Sequence, residues 1–221
     1  QHAEYIKVLE ECGLQVSVLA KNEQYPDSTF VEDVALLTKE CAIITKPGTP
    51  SRSGETVEIK KVLKDYYLNI EEVREPGIVE AGDIMMVGSH FYLGISARTN
   101  ENGAGQVIEF LKKYGMSGSL VKLDKVLHLK TGVSYLEQNN LVATGEFLTK
   151  EEFQNFNILE IADDESYAAN CIWVNDRVLI PKGYPKARET IASAGYSIIE
   201  VDVTEFQKLD GGLSCLSLRL F

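Results

Sequence analysis

The stretch Lys208-Leu209-Asp210-Gly211-Gly212-Leu213-Ser214-Cys215 sets a thiol just beyond two glycines. Backbone without side chains lets a ligand approach closely. A cysteine opening the apolar run 213–221 therefore stands where a nucleophile would, although such a cysteine also serves as an inert small hydrophobe. Thiol chemistry needs an acid–base partner that meets the sulfur in space and not in sequence. Of the three histidines, His2 lies at the chain start and His90 in a Gly-Ser-His turn. That leaves His128, in Val126-Leu127-His128-Leu129-Lys130, with a hydrogen-bonded core or rim imidazole as the alternative.

Acids complete the set. Asp27-Ser28-Thr29-Phe30-Val31-Glu32-Asp33 runs into the apolar segment Val34-Ala35-Leu36-Leu37, and Glu80-Ala81-Gly82-Asp83 runs into Ile84-Met85-Met86-Val87. A carboxylate at the mouth of a buried strand must be paired or must meet a ligand. Asx capping of a turn is the other reading for Asp33 and for Asp83.

The elements that position these residues repeat. Hairpin-like apolar pairs begin near Phe30, Glu80, Leu127, Asn170 and Leu213, at steps of 50, 47, 43 and 43 residues. Helical patterns follow at 55–64, 104–114, 150–156 and 184–194, and single strands at 68–73, 119–123, 158–161 and 197–203. The unit is strand, strand, helix, strand, counted five times. A period of this length marks a radial or stacked α/β architecture in which neighbouring units cover each other's apolar faces. Residues 1–13 read as a helix without an N-cap, so a strand preceding it, which would close the ring beside 213–221, is expected to be absent from this chain.

Five motifs then fall in a known order: Asp27 to Asp33, Glu80-Ala81-Gly82-Asp83, Gly94-Ile95-Ser96-Ala97-Arg98-Thr99-Asn100, Leu127-His128-Leu129-Lys130 and Lys208 to Cys215. In these the chain resembles, from Gln1 to its end, the dimethylarginine dimethylaminohydrolases of the guanidine-modifying amidinotransferase (pentein) superfamily. The resemblance implies a single domain, 1–221, with a five-bladed α/β propeller of ββαβ units. It implies a hydrolase that takes methylated arginine to citrulline and dimethylamine through a covalent cysteine-thiouronium intermediate.

Roles carry over by position. Cys215 matches the nucleophile, His128 the general acid and then base, and Glu80 the acid that orients the imidazole. Glu32 and Asp33 match the carboxylates that grip the guanidinium, in the fork geometry that favours bidentate pairing. Arg98 and Arg52 match positions that hold the substrate's α-carboxylate, with a surface ion pair at a helix start as the bland reading of Arg98 and a solvent-exposed loop residue as that of Arg52. Asp27 and the backbone at Leu209 match contacts to the α-amino group, while Asp210 either touches substrate or shapes the turn. No metal enters this scheme, and no phosphate, flavin or nicotinamide motif calls for a cofactor. Arginine and agmatine deiminases carry an aspartate two residues after the histidine, where this chain has Lys130; that favours the dimethylarginine branch. The family's first strand and lid loop, which would precede this helix, contribute a substrate contact, so lid closure is the part of the pattern left open. The rivals are an arginine deiminase or amidinotransferase on the same scaffold, and a non-enzymatic propeller of the ribosome anti-association type, which would have no need of Cys215, His128 and Glu80 together.

Bulk properties agree. At 221 residues with 44% hydrophobic content the chain can bury an ordinary core. A net charge of −11 sets it against nucleic acid and anionic membranes and suits a cationic small molecule. The opening residues are no signal peptide, and the four scattered cysteines (Cys12, Cys41, Cys171, Cys215) lack metal-site spacing. Reduced thiols and a cytoplasmic location are expected. Edge-to-edge pairing into a homodimer is left open.

Overall fold

The structure, a computed structural model, describes residues 1–220. Helix α1 (His2–Glu11) opens it. The first repeat follows, with β1 (Ala35–Leu37), β2 (Ala42–Ile44), α2 (Glu55–Leu63) and β3 (Ile70–Glu72), and the second holds β4 (Ile84–Val87), β5 (His90–Ile95), α3 (Glu101–Lys113) and β6 (Ser117–Lys122). The third is β7 (Val133–Tyr135), β8 (Asn140–Ala143) and β9 (Asn157–Glu160). The fourth is β10 (Ile172–Val174), β11 (Arg177–Pro181), α4 (Pro185–Ser193) and β12 (Ser197–Val201), with the short α5 (Thr204–Gln207) beyond it.

Each repeat makes its own three-stranded sheet with the second strand in the middle. The first two strands pair antiparallel and the third returns parallel, as in Ala35↔Ile44 and Ala42↔Ile70. Local chemistry explains both joints. Asn175 and Asp176 take left-handed backbone angles in the tight turn between β10 and β11, which twists as the strands do. A parallel return needs a long crossover, supplied in three repeats by a helix. In α3, Asn100 caps the first turn by accepting from Gly103 N–H at 2.8 Å, and Ala104, Val107 and Leu111 form the buried stripe.

The chain forms two compact units. One comprises Gln1–Ala20 and Lys130–Ser214 and has a core that includes Leu136, Ile161, Val178, Ile180 and Ile191. The other comprises Lys21–Leu129 and the residues from Cys215 on. Its cores gather Ile43, Val79, Phe91, Leu93 and Leu111, and Val34, Ala35, Leu37, Ile44 and Leu63. No helix among the described residues is long and apolar enough to cross a membrane.

The repeat and its α/β class stand, with two corrections. The helix expected over 150–156 is absent; two 3-10 turns, Gly145–Leu148 and Glu151–Phe153, take its place. So short a helix closes too few backbone bonds to offset its nucleation, and Phe147 and Phe153 bury against each other, ring centroids 6.1 Å apart, without it. The strand expected from Leu213 onward is also missing. Ser214–Leu216 is a 3-10 turn and 217–220 are irregular, because a strand exists only through a partner's hydrogen bonds and no described segment supplies that ladder. Four three-stranded sheets are thus formed where five units are expected. The last residue of that predicted strand, Phe221, lies outside the described residues.

Candidate active site

Two tight turns carry the acids. The 3-10 turn Val31–Val34 presents Glu32 and Asp33 immediately before β1, and Ala81–Asp83 does the same for Glu80 and Asp83 before β4. The turns are tied together, since Gly82 N–H donates to Asp33 Oδ1 at 3.0 Å. A Cβ at Gly82 would lie 2.8 Å from that oxygen and 3.0 Å from His128 Cγ and Nδ1, so the glycine is demanded by close approach. His128 and Glu80, distant in sequence, meet through Nε2 and Oε2 at 2.8 Å. One polar atom each of Asp33, Glu80 and His128 falls within 4.8 Å of the others.

Burial makes this cluster electrostatically sharp. Glu32, Asp33, Glu55, Glu80 and Asp83 are all buried, and Arg52 is the buried cation among the described residues. Burial disfavours the charged imidazolium of His128, yet the Glu80 hydrogen bond and the charges of Asp33, Asp83 and Glu80 outweigh it, so its pKa rises above the ordinary 6.5. For Asp83 and Glu55 burial dominates, and both carboxyls are pushed up. An excess of buried negative charge has to be neutralised by protons or by a cation from outside.

Arg52 is no solvent-exposed loop residue. Its Nη1 donates to Asp33 Oδ2 at 2.6 Å and lies 4.0 Å from Glu80 Oε2. Its Nε and Nη2 are held by the Glu55 carboxylate at 2.8 to 3.1 Å, and Nη2 also donates to the carbonyls of Phe30 and Asp27, at 3.2 and 3.4 Å. Burial works against the guanidinium charge, but Glu55 and Asp33 overcome it and raise its pKa. Arg98 is more open, its side chain 32% exposed, with Nη1 at 2.6 Å from Thr49 Oγ1 and 3.4 Å from Glu80 Oε1. Asp27 is exposed in the turn Pro26–Thr29. Sequence reasoning missed Glu55, because an acid in the first turn of a helix is the ordinary response to the helix dipole and nothing local reveals that it grips Arg52.

Cys215 sits half-buried in the turn Ser214–Leu216. The segment before it is clamped: Tyr167 Oη donates to Gly211 O at 2.7 Å, Tyr5 Oη to Leu213 O at 3.2 Å, and Ser214 N–H to Asn170 Oδ1 at 2.9 Å. A Cβ on Gly212 would lie 2.4 Å from the Asn170 carboxamide, which accounts for the second glycine. Leu209 is 62% exposed, and Asp210 is exposed with φ of 60°, a left-handed turn position that aspartate tolerates. The other thiols are poor nucleophiles. Cys12, Cys41 and Cys171 are buried, burial raises all three, and Cys171 is pushed up to about 12.

Repeated ββαβ units with a carboxylate–imidazole pair among buried acids define the class: a pentein-type α/β fold equipped for guanidine chemistry. The fold is shared with the N-terminal domain of ArgZ, an arginine dihydrolase from cyanobacteria, at a TM-score of 0.91 and 19% identity, over all of this chain and 85% of that one. Residues 1–221 match the family described as N,N dimethylarginine dimethylhydrolase, eukaryotic. The chain is 59% identical to the N(G),N(G)-dimethylarginine dimethylaminohydrolase of Pseudomonas aeruginosa, over 99% of its own length and 87% of the relative's. It is 31% identical to that of Streptomyces coelicolor, over 98% and 83%. A solved structure of the Pseudomonas enzyme, a cysteine-to-serine mutant complexed with citrulline, superposes with a TM-score of 0.98 over 99% of this chain and 86% of that one. The chain belongs to the dimethylarginine dimethylaminohydrolase family, hydrolases of carbon–nitrogen bonds other than peptide bonds.

Proposed function

We propose that this protein hydrolyses the guanidinium group of Nω,Nω-dimethylarginine to citrulline and dimethylamine, with Cys215 as nucleophile, His128 as acid and base, and Glu80 orienting the ring. The observation that carries the reading is the 2.8 Å His128–Glu80 bond beside buried Asp33. The guanidinium carbon is a poor electrophile, so it must be held and its leaving group protonated. Glu32 and Asp33 grip the cation, whose charge in turn favours the thiolate of Cys215. The sulfur forms a bond to the guanidinium carbon. The C–N bond to dimethylamine breaks as protonated His128, the form its buried acidic neighbours favour, donates its proton to that nitrogen. Neutral His128 then takes a proton from water, hydroxide adds to the thiouronium carbon, and the C–S bond breaks to give citrulline and restore the thiolate. With Nε2 held by Glu80, Nδ1, beside bare Gly82, is the ring nitrogen that moves the proton.

The amino-acid end is assigned to Arg98 and Arg52 for the α-carboxylate and to Asp27 and the Leu209 backbone for the amine, with Asp210 shaping the turn. The reading uses side chains alone, without metal or organic cofactor. It takes residues 1–221 as a single domain in the cytoplasm, acting on a small molecule and not on nucleic acid or membranes, with a homodimer as the assembly to look for. Two solved relatives support it: the Pseudomonas enzyme with citrulline, and an adduct of a histidine-to-glycine form of dimethylarginine dimethylaminohydrolase with S-methyl-L-thiocitrulline. The test is mass spectrometry of protein quenched during turnover with dimethylarginine or with arginine. A covalent adduct on the Cys215 peptide, lost in Cys215→Ser along with dimethylamine release, is expected. Ammonia from arginine as the preferred product, or turnover by a folded Cys215→Ser protein, overturns the reading.

A further inference from the structure

Asp83 is fully buried, and the reaction described above makes no use of it. Its carboxylate is nonetheless built into the backbone that carries His128. Oδ1 accepts the N–H of Leu129, the next residue in the chain, at 2.9 Å, and Oδ2 accepts the Ser96 hydroxyl at 2.7 Å. The packing around it is tight, since a Cβ at Gly94 would lie 3.0 Å from Oδ1. The turn that holds Asp83 also carries Glu80 and Gly82, so one short segment contacts the imidazole's hydrogen bond, its ring face and its backbone. A turn-capping aspartate would be satisfied by its own neighbours; this one reaches across 46 residues to Leu129.

We infer that Asp83 is a positioning residue for His128, fixing the backbone at Leu129 and placing a third buried carboxylate charge near the imidazolium. The inference rests on His128 being the acid–base group. The acids acting on the ring are Glu80, Asp33 and Asp83, and Arg98 and Arg52 face Glu80. Glu80 and Asp33 serve the ring and the guanidinium directly, whereas Asp83 is bound to the backbone N–H that follows His128.

Asp83→Asn removes the charge but keeps the shape and the bond to the backbone beside His128, because its Oδ1 can still accept from Leu129; the Ser96 hydroxyl, whose oxygen already accepts from Arg98 and Thr99 N–H, loses its acceptor. Expected are a kcat about tenfold lower at pH 8, KM within about twofold, and the pH limb of His128 displaced downward by about one unit. A structural residue alone would lower the melting temperature and leave that limb in place. Ser96→Ala keeps the carboxylate charge and removes only its Oδ2 donor, and is expected not to lower the limb. An unmoved limb in Asp83→Asn, with His128→Ala inactive, overturns the role of Asp83 and spares that of His128. Turnover that survives His128→Ala overturns both.

Discussion

Replacing Glu80 by Gln asks how much of the acid–base behaviour of His128 comes from one buried hydrogen bond. Glu80 is 1% exposed and its Oε2 lies 2.8 Å from Nε2. Gln keeps the shape and a neutral acceptor but removes the charge. A hydrogen bond to a charged group contributes roughly 1.5–3 kcal/mol and a neutral one about 1, so the imidazolium loses roughly 0.5–2 kcal/mol relative to the neutral ring. At 1.36 kcal/mol per unit its pKa should fall by about 0.4–1.5, with Asp33 and Asp83 still acting to raise it. NMR titration of imidazole-labelled protein measures this directly, since only His2, His90 and His128 report. The stability consequence has a definite sign. The folded pKa of His128 lies above the ordinary 6.5, so its proton stabilises the fold fully below that value, and the contribution is lost as pH rises through the folded pKa. The melting-temperature difference between wild type and Glu80→Gln should therefore shrink from pH 6 to pH 9. An unchanged His128 titration in a folded variant would refute the coupling.

Two further substitutions probe the clamp. Asp33→Asn can still accept from Gly82 N–H but loses its charge and the acceptor of Arg52 Nη1; loss of a charged hydrogen bond should weaken guanidinium binding about 10–100-fold, and unchanged affinity and rate in a steady-state assay would place the clamp elsewhere. Gly82→Ala drives a methyl to 2.8 Å from Asp33 Oδ1 and 3.0 Å from His128. With neither neighbour free to move, about 1–3 kcal/mol of stability should be lost, and a denaturation midpoint equal to wild type would show that the turn yields.

Much of the architecture is legible without coordinates because its causes are local. Apolar runs at a regular interval give the repeated unit, with helical patterns at 55–64, 104–114 and 184–194 between hairpin and returning strand. The two failures share a reason: residues 150–156 and 213–220 carry the right apolar character, but whether such a stretch closes a helix or gains a ladder depends on its partners. The reactive residue types, Cys215, His128, Glu80, Glu32 and Asp33, are also visible in the motifs. Their distances are not, and neither is the burial of Arg52, which reads as an ordinary loop cation until Glu55 and Asp33 are seen around it. Asp83 shows the division most clearly. The sequence marks it as an acid at the mouth of a strand, and only packing joins it to Leu129, because a side chain's charge is written in its chemistry whereas its partner is chosen by the fold that excludes water from both.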